Sequence, residues 1–464
     1  MSQVSRRIAV HAGALTLARV GGMVLGVAGV AVMTRYLGIE SYGNLVTAMA
    51  FAGIVIGLAD AGLSAIGTRE LARHGVDARW LSGNLMGLGL VGWALTTGIA
   101  LVILPLVYQS EEIQVAGKIL LVGAFFYPIL RVSNALALAS GRTVFVAIGI
   151  LCGSIAILAT ISLAVVLDLG FAVVAAATVV GSLTNLLVIG TVVFRWMPAP
   201  RFERRRCREL FGELLPMAGV NAAILLYARA DVILLSVLSS ATAVGIYGLS
   251  YKLVDGLVLI PALLMLALQR DIMQSINDPE RLRGIVQEAF SLSLQVALPV
   301  LVFFVAFREE VAQVLGGGGF EGAGAVLAIL IVAVAISYPI GVLGGMLIAI
   351  KHQALLLRAV SVGLSVNILG NLIAIPLYDA RGAAVTFVLS EMVMLAMVAR
   401  YYRRFAPLPT FQGVDRLIAP LAAMAAIAFF GATLGPASAI LSILTFGLLS
   451  VLAYVAGAWR LGVL

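Results

Sequence analysis

Charge is scarce in this sequence. Only 11% of its 464 residues are Asp, Glu, Lys or Arg, against roughly 25% in a soluble domain. With 62% hydrophobic residues and a mean hydropathy of +1.11, the chain holds more apolar surface than a water-soluble core could hide. Histidine is scarce: His11, His74 and His352 lie far apart, and no HExxH pair occurs, so no metal centre is expected. There is no GxxxxGK[ST] loop to cradle a nucleotide, so energy from ATP bound by this chain is not expected, and no cofactor is implied. The two cysteines, Cys152 in an apolar run and Cys207 in a basic one, offer no disulfide framework. No polar segment is large enough to fold alone, so any chemistry must take place within the membrane. The net charge of +8 is spread over short loops. It is not a nucleic-acid signal, and no nucleic-acid partner is expected.

What is present is a succession of continuous apolar runs of about 20 residues, the length that carries an α-helix across a bilayer. They are not the ten-residue alternating strands of an outer-membrane barrel. The expected fold class is all-α integral membrane, with fourteen transmembrane helices at 8–34, 44–67, 83–107, 115–139, 143–167, 171–195, 213–238, 244–268, 288–307, 323–349, 355–377, 382–402, 416–434 and 438–459. With the N-terminus inside, the outer loops hold only Arg35, Arg308 and Arg381, and most other cations fall in inner segments. That asymmetry is the positive-inside bias, and it makes both termini cytoplasmic. The first run, after Arg6 and Arg7, is too long for a signal-peptide core and reads as an uncleaved span.

The longest polar interruption, 195–213, carries Arg195, Arg201, Arg204, Arg205, Arg206 and Arg208. A cationic run between two spans stays cytoplasmic and, as a solvated linker, touches anionic membrane lipid. It divides the chain into an N-terminal lobe (1–195), a basic linker (196–212), a C-terminal lobe (213–404) and two extra helices (405–464). The longest outer loop, about Arg308 to Gly322, contains four successive glycines and reads as a flexible tether.

The lobes repeat each other. Tyr42-Gly43 follows the first span and Tyr247-Gly248 the seventh; Asp168-Leu169-Gly170 precedes the sixth and Asp379-Ala380-Arg381-Gly382 the twelfth. Six spans per copy, an even number, gives both copies one topology. Two pseudo-symmetric six-helix bundles around a central cavity are then expected, a common transporter plan. Glycines within the spans let helices approach closely or bend. Pro128, Pro261, Pro299 and Pro339 are candidates for kinks.

Ionisable residues inside spans are costly and mark functional candidates. His11 and Lys118 lie near span ends, where snorkelling explains them. Arg19, Asp60 and Arg131 lie roughly 22–24 Å from the outer ends of their spans, at 1.5 Å per residue. Arg229, Asp231, Lys252 and Asp255 lie roughly 10–17 Å from theirs, on two spans joined by a tight turn. Glu391 belongs to the twelfth span. Lys252 and Asp255, three apart, share a helical face, whereas Arg229 and Asp231, two apart, face nearly opposite ways. Such charges can simply pair to lock helices together. Cations exceed what pairing needs, however, and a cationic cavity suits an anionic substrate such as a diphosphate. Two polar layers facing the cavity are expected, an inner one from the first lobe and an outer one from the second.

Arg35-Tyr36-Leu37-Gly38-Ile39-Glu40-Ser41-Tyr42-Gly43 resembles the RxLGxxxYG element of bacterial polysaccharide (O-antigen type) flippases, members of the multidrug/oligosaccharidyl-lipid/polysaccharide (MOP) exporter superfamily. Asp60-Ala61-Gly62-Leu63 with Thr68-Arg69-Glu70-Leu71-Ala72 resembles their second-span ending. Arg229-Ala230-Asp231 with Gly245-Ile246-Tyr247 is similar to the start of their second half, and Gly382-Ala383-Ala384 to their twelfth span. The resemblance implies a transporter, not an enzyme. It would move an undecaprenyl-diphosphate-linked oligosaccharide to the outer leaflet of a bacterial inner membrane by alternating access coupled to H+ or Na+. Its partners would be that lipid-linked oligosaccharide, membrane lipids and polysaccharide polymerase machinery. On that reading Arg19, Arg131, Arg229 and Lys252 attract the diphosphate or an acidic glycan. Asp60, Asp231, Asp255 and Glu391 balance them, and one of the four carries a coupling ion. Fourteen spans are also typical of lipid II flippases, but those tend to have an Arg-Asp pair where this chain has Glu40 to Gly43. A drug/cation antiporter of the same superfamily fits the excess of intramembrane cations poorly. A membrane polymerase or ligase would need a sizeable outer loop with Arg or His, which is missing.

Overall fold

The computed structural model describes residues 3–60, 62, 63, 67, 70, 71, 78–193, 199–201, 204–410, 414–434 and 438–461. Among them there is no strand. The helices are α1 (Gln3–Asp60), α2 (Ala78–Val107), α3 (Glu111–Gly123), α4 (Phe126–Ala139), α5 (Thr143–Val166), α6 (Phe171–Val193), α7 (Arg204–Leu238), α8 (Ala241–Leu257), α9 (Leu259–Gln274), α10 (Pro279–Ala306), α11 (Arg308–Gly316), α12 (Ala323–Ala349), α13 (Gln353–Tyr402), α14 (Val414–Leu434), α15 (Ala439–Ser442) and α16 (Leu448–Arg460). This is an all-α membrane protein. Among the described residues ten helices are long and apolar enough to cross a bilayer, eleven if the bent pair α3–α4 counts as one span. Two of the ten, α1 and α13, are each two helices joined at a kink. At 58 and 50 residues both exceed twice the roughly 30 Å hydrocarbon core at 1.5 Å per residue.

The kinks have local causes. Gly38 has φ 75°, a left-handed conformation that glycine adopts without a Cβ penalty. In α13 the break is at Asp379, φ 49°, and the chain doubles back tightly: a Cβ at Gly382 would lie 2.2 Å from the Ala374 carbonyl oxygen. Only glycine fits there, which explains the Gly382-Ala383-Ala384 motif.

Chain contacts divide the protein into two compact units, Met1–Arg229 and Ala230–Leu464. In the first, α1 packs along α5 and α3, and α5 pairs with α6. Its core joins Leu45, Ala48 and Val55 of α1 to Leu104, Leu121 and Ile161. In the second, α12 is the most buried of the candidate spans, with 61% of its apolar window covered, and it packs on α13, α10 and α8. The pair α14 and α16 closes on α10 through Leu417, Met424 and Tyr454.

One expected continuous span is bent and a second is interrupted at the single residue Val258, and proline is the reason. Proline has no N–H for the carbonyl four residues earlier and clashes with it. Pro128 stands four residues after Ala124, where α3 and α4 bend by 41°. Pro261 stands four after Leu257, where α8 ends and α9 begins. In lipid a freed carbonyl must find another donor. The Tyr338 hydroxyl donates to the Leu257 oxygen (3.2 Å). Trp93 Nε1 donates to the Leu121 oxygen beside the α3–α4 bend (2.9 Å). Pro299 interrupts α10 without breaking it, and the Tyr454 hydroxyl donates to the carbonyl it frees, that of Gln295 (2.8 Å).

The expected outer tether from Arg308 is instead ordered as α11 followed by a 3-10 turn over Gly317–Gly319. Glu309 and Glu310 suit the positive end of a helix. Val311 and Leu315, four apart, give it a face to bury.

Candidate functional site

The loop motifs form two matching clasps, one in each unit. In the first, the Tyr36 hydroxyl donates to Asp168 Oδ1 (2.7 Å) and accepts from the Gly170 N–H (3.0 Å). In the second, the Ser239 hydroxyl donates to Asp379 Oδ1 (2.6 Å). The clasps fasten the C-terminal end of each unit's first span to the turn before its last repeated one. The same motif secures α3. Ser41 Oγ and Asn44 Nδ2 donate to the two carboxylate oxygens of Glu112, each at 2.8 Å, while Tyr42 is buried.

The first candidate constellation lies in the first unit. Asp60, at the end of α1, and Arg131, on α4, approach to 3.9 Å between Oδ2 and Nη1. That is an ion pair but too long for a charge-assisted hydrogen bond. Arg131 is 45% exposed and Asp60 22%. Both line a small cavity of about 40 Å³ whose other walls are largely apolar, with Ile56, Leu85, Trp93 and Pro128 among them. An anion entering there meets the Arg131 guanidinium, whose pairing with Asp60 is long at 3.9 Å.

The second lies in the other unit. Asp231 of α7 is 2% exposed. Its carboxylate accepts from the Tyr247 hydroxyl of α8 (2.7 Å) and from Asn371 Nδ2 of α13 (2.6 Å). Asn371 Nδ2 also donates to Asn367 Oδ1 one turn earlier (3.1 Å). Asn371 Oδ1 and Asn367 Nδ2, both buried, have no hydrogen-bond partner among the described residues. The result is a buried carboxylate ringed by neutral oxygen and amide groups.

The sequence singles out Asp231 by its charge but not Asn367 and Asn371, because an uncharged amide within a span gives a weaker signal than an ionisable group. The overlooked signal is two amides four apart in the apolar run 355–377. The remaining candidates are dispersed. Arg19 is exposed on α1, and Arg229 is half-buried at the edge of the first unit. Lys252 and Asp255 are half-buried on α8, and Lys252 makes no ion pair among the described residues, so their shared face does not produce a bond. Glu391 is 3% exposed on α13. Arg195, the Thr68-Arg69 and Ala72 positions, and the side chains of His11 and of Arg204, Arg205, Arg206 and Arg208 lie outside the described residues.

The sequence profile of the polysaccharide biosynthesis protein family matches residues 9–270, more than half of the chain. The chain belongs to that family. A further similarity places this family member beside the probable low-salt glycan biosynthesis flippase Agl15 of Haloferax volcanii, 22% identical over 407 residues, which cover 84% of this chain and 82% of that one. Among solved structures, the lipid II flippase MurJ in an inward closed conformation matches with a TM-score of 0.77 at 12% identity, covering 96% of this chain and 97% of that one. The outward-facing form of a multidrug resistance MATE transporter of the MOP superfamily matches with a TM-score of 0.61 at 16% identity, covering 85% and 94%. The fold is thus that of the MOP transporters, and the relatives named here are flippases and transporters, not enzymes.

Proposed function

We propose that this family member is a flippase that carries a diphosphate-linked lipid oligosaccharide from the cytoplasmic to the outer leaflet of the cell membrane. Undecaprenyl is the lipid and a bacterial inner membrane the setting we favour. The observation that carries this reading is the Arg131–Asp60 pair in its cavity. A cation in an otherwise apolar pocket suits a lipid-borne anion, because a guanidinium offers bidentate contact to a phosphate. Arg19, Arg229 and Lys252 supply further cations along the path. Family membership and the likeness to the glycan biosynthesis flippase Agl15 support a glycan cargo.

Of the four intramembrane carboxylates, Asp231 best suits a coupling ion. Two partners approaching it, Tyr247 and Asn371, and the neighbouring Asn367 are neutral. Its negative charge is therefore balanced if H+ or Na+ joins it. Oxygen groups in such a ring are what a hard cation prefers.

The test is leaflet-resolved accumulation of lipid-linked glycan in cells depleted of the protein. Intermediates trapped on the cytoplasmic side, released by the wild-type chain and not by Arg131→Ala, are expected. An unchanged distribution on depletion refutes the flippase reading and favours drug or ion efflux.

A further inference from the structure

We propose that the outer face of the second unit carries a saccharide-binding pocket built from Thr242, Glu321, Tyr378, Asp379 and Arg381, and that it takes neutral or amino sugars. The proposal rests on the export of a glycan argued above and adds a place where that glycan is held after crossing. A cavity of about 400 Å³ opens between the first turn of α8, the start of α12 and the kink of α13. Its volume lies within the range of small-molecule sites. Arg381 is among the three outer-loop cations of the charge-derived topology, so the cavity faces outward.

The lining has the chemistry of sugar recognition. Tyr378 is a large aromatic yet 67% exposed, and an aromatic ring offers a flat apolar surface to the C–H face of a pyranose. Carboxylates accept from neighbouring sugar hydroxyls, and a guanidinium donates to ring and hydroxyl oxygens. Thr242, Glu321, Tyr378 and Arg381 make no side-chain hydrogen bond or ion pair among the described residues. Their bonding capacity converges on one cavity unspent.

The site is also pre-formed. Asp379 is fixed by its φ of 49° and by the Ser239 hydroxyl at 2.6 Å, so a ligand need not order the turn. The matching aspartate in the first unit, Asp168, is gripped by the large side chain of Tyr36. Serine at the second clasp covers less of its partner, which is why a cavity can open beside Asp379. Two carboxylates against one guanidinium leave the rim net negative. That disfavours a uronic acid and tolerates an amino sugar, a discrimination by repulsion.

Saturation-transfer NMR on the full chain in lipid nanodiscs tests the pocket. The probes are chitotriose, maltotriose and mannotriose as neutral sugars, the chitosan trimer as an amino sugar and trigalacturonate as an acidic one. We expect transfer to at least one neutral or amino trisaccharide, weakened about tenfold or more by Tyr378→Ala and kept by Tyr378→Phe, since the ring and not the hydroxyl is the anchor. Trigalacturonate should show transfer only in Glu321→Gln. Tyr378 and Glu321 are exposed, so neither change threatens folding. No transfer to any neutral or amino sugar, or transfer indifferent to Tyr378→Ala, overturns the pocket. The leaflet assay run on the same preparation in proteoliposomes separates the two proposals. Tyr378-dependent transfer without glycan flipping leaves the pocket standing and removes the flippase reading. Flipping without transfer removes the pocket alone.

Discussion

Asp168 and Asp379 hold the same unusual backbone conformation, φ 49° at each, at corresponding turns of the two repeated halves. Each accepts a hydrogen bond from the C-terminal end of its own unit's first span, Asp168 from Tyr36 and Asp379 from Ser239. A left-handed backbone at a non-glycine residue persists only when its surroundings fix it, and asparagine and aspartate tolerate it best. The sequence repeat is therefore a repeat of strain and clasp as well as of hydropathy.

This separates three substitutions at Asp168. Asn keeps both the tolerance for the turn and a side-chain acceptor for the Tyr36 hydroxyl, so Asp168→Asn should match the wild type in thermal unfolding. Gly keeps the turn and loses the acceptor, a loss of about 0.5–1.5 kcal/mol. Ala loses the acceptor and strains the turn, a loss of about 1–3 kcal/mol. Equal stability for Ala and Gly would remove the claim of backbone strain.

The tyrosines that cap proline-freed carbonyls predict a second series. Tyr338→Phe leaves the buried Leu257 oxygen without its donor (3.2 Å), which should cost about 1–3 kcal/mol. Pro261→Ala restores a backbone N–H to that carbonyl. In that background Tyr338→Phe should cost much less, and the difference is a coupling read from a double-mutant cycle. Additive effects would show that the hydroxyl does not serve the proline break.

The order of elements was legible because lipid imposes long continuous runs, and Gly38, Asp168 and Asp379 already stood at the turns. The helix breaks near Ala124 and Leu257 were harder to read. Hydropathy does not fall at either, and proline inside a span predicts a kink without saying whether the helix resumes: Pro299 and Pro339 stay within α10 and α12. Of the site, the charged members were visible one by one. The partner each one finds was not, because Asp60 meets Arg131 and Asp231 meets Asn371 only through tertiary packing. The pairing suggested by spacing, Lys252 with Asp255, does not form.

The Arg131–Asp60 pair distinguishes a lock from a binding site. If the pair only ties α4 to α1, the exchanged variant Asp60→Arg with Arg131→Asp restores the bond and should restore export. If the guanidinium meets a diphosphate, the exchange moves the cation to the wrong helix, and export stays abolished although the protein inserts. We expect the second outcome. Since the wild-type pair is long at 3.9 Å, Arg131→Ala alone should leave the protein folded and inserted. A loss of export with little loss of stability is the signature sought in glycan export and unfolding assays.

Asp231 gives the sharpest contrast between structure and transport. Asp231→Ala removes the carboxylate acceptor of the Tyr247 hydroxyl and one of the two acceptors of Asn371 Nδ2, at about 1–3 kcal/mol for each lost bond, so that variant should be unstable as well as inactive. Asp231→Asn keeps the shape and an acceptor oxygen but removes the charge. It should fold, insert and lose any dependence of glycan movement on an imposed Na+ or pH gradient in proteoliposomes. Asn367→Ala should weaken that dependence without abolishing it, because Asn367 touches Asn371 (3.1 Å) and so tunes the ring. Gradient-driven transport that persists unchanged in Asp231→Asn would assign the coupling ion to another carboxylate, with the buried Glu391 of the same unit next in line.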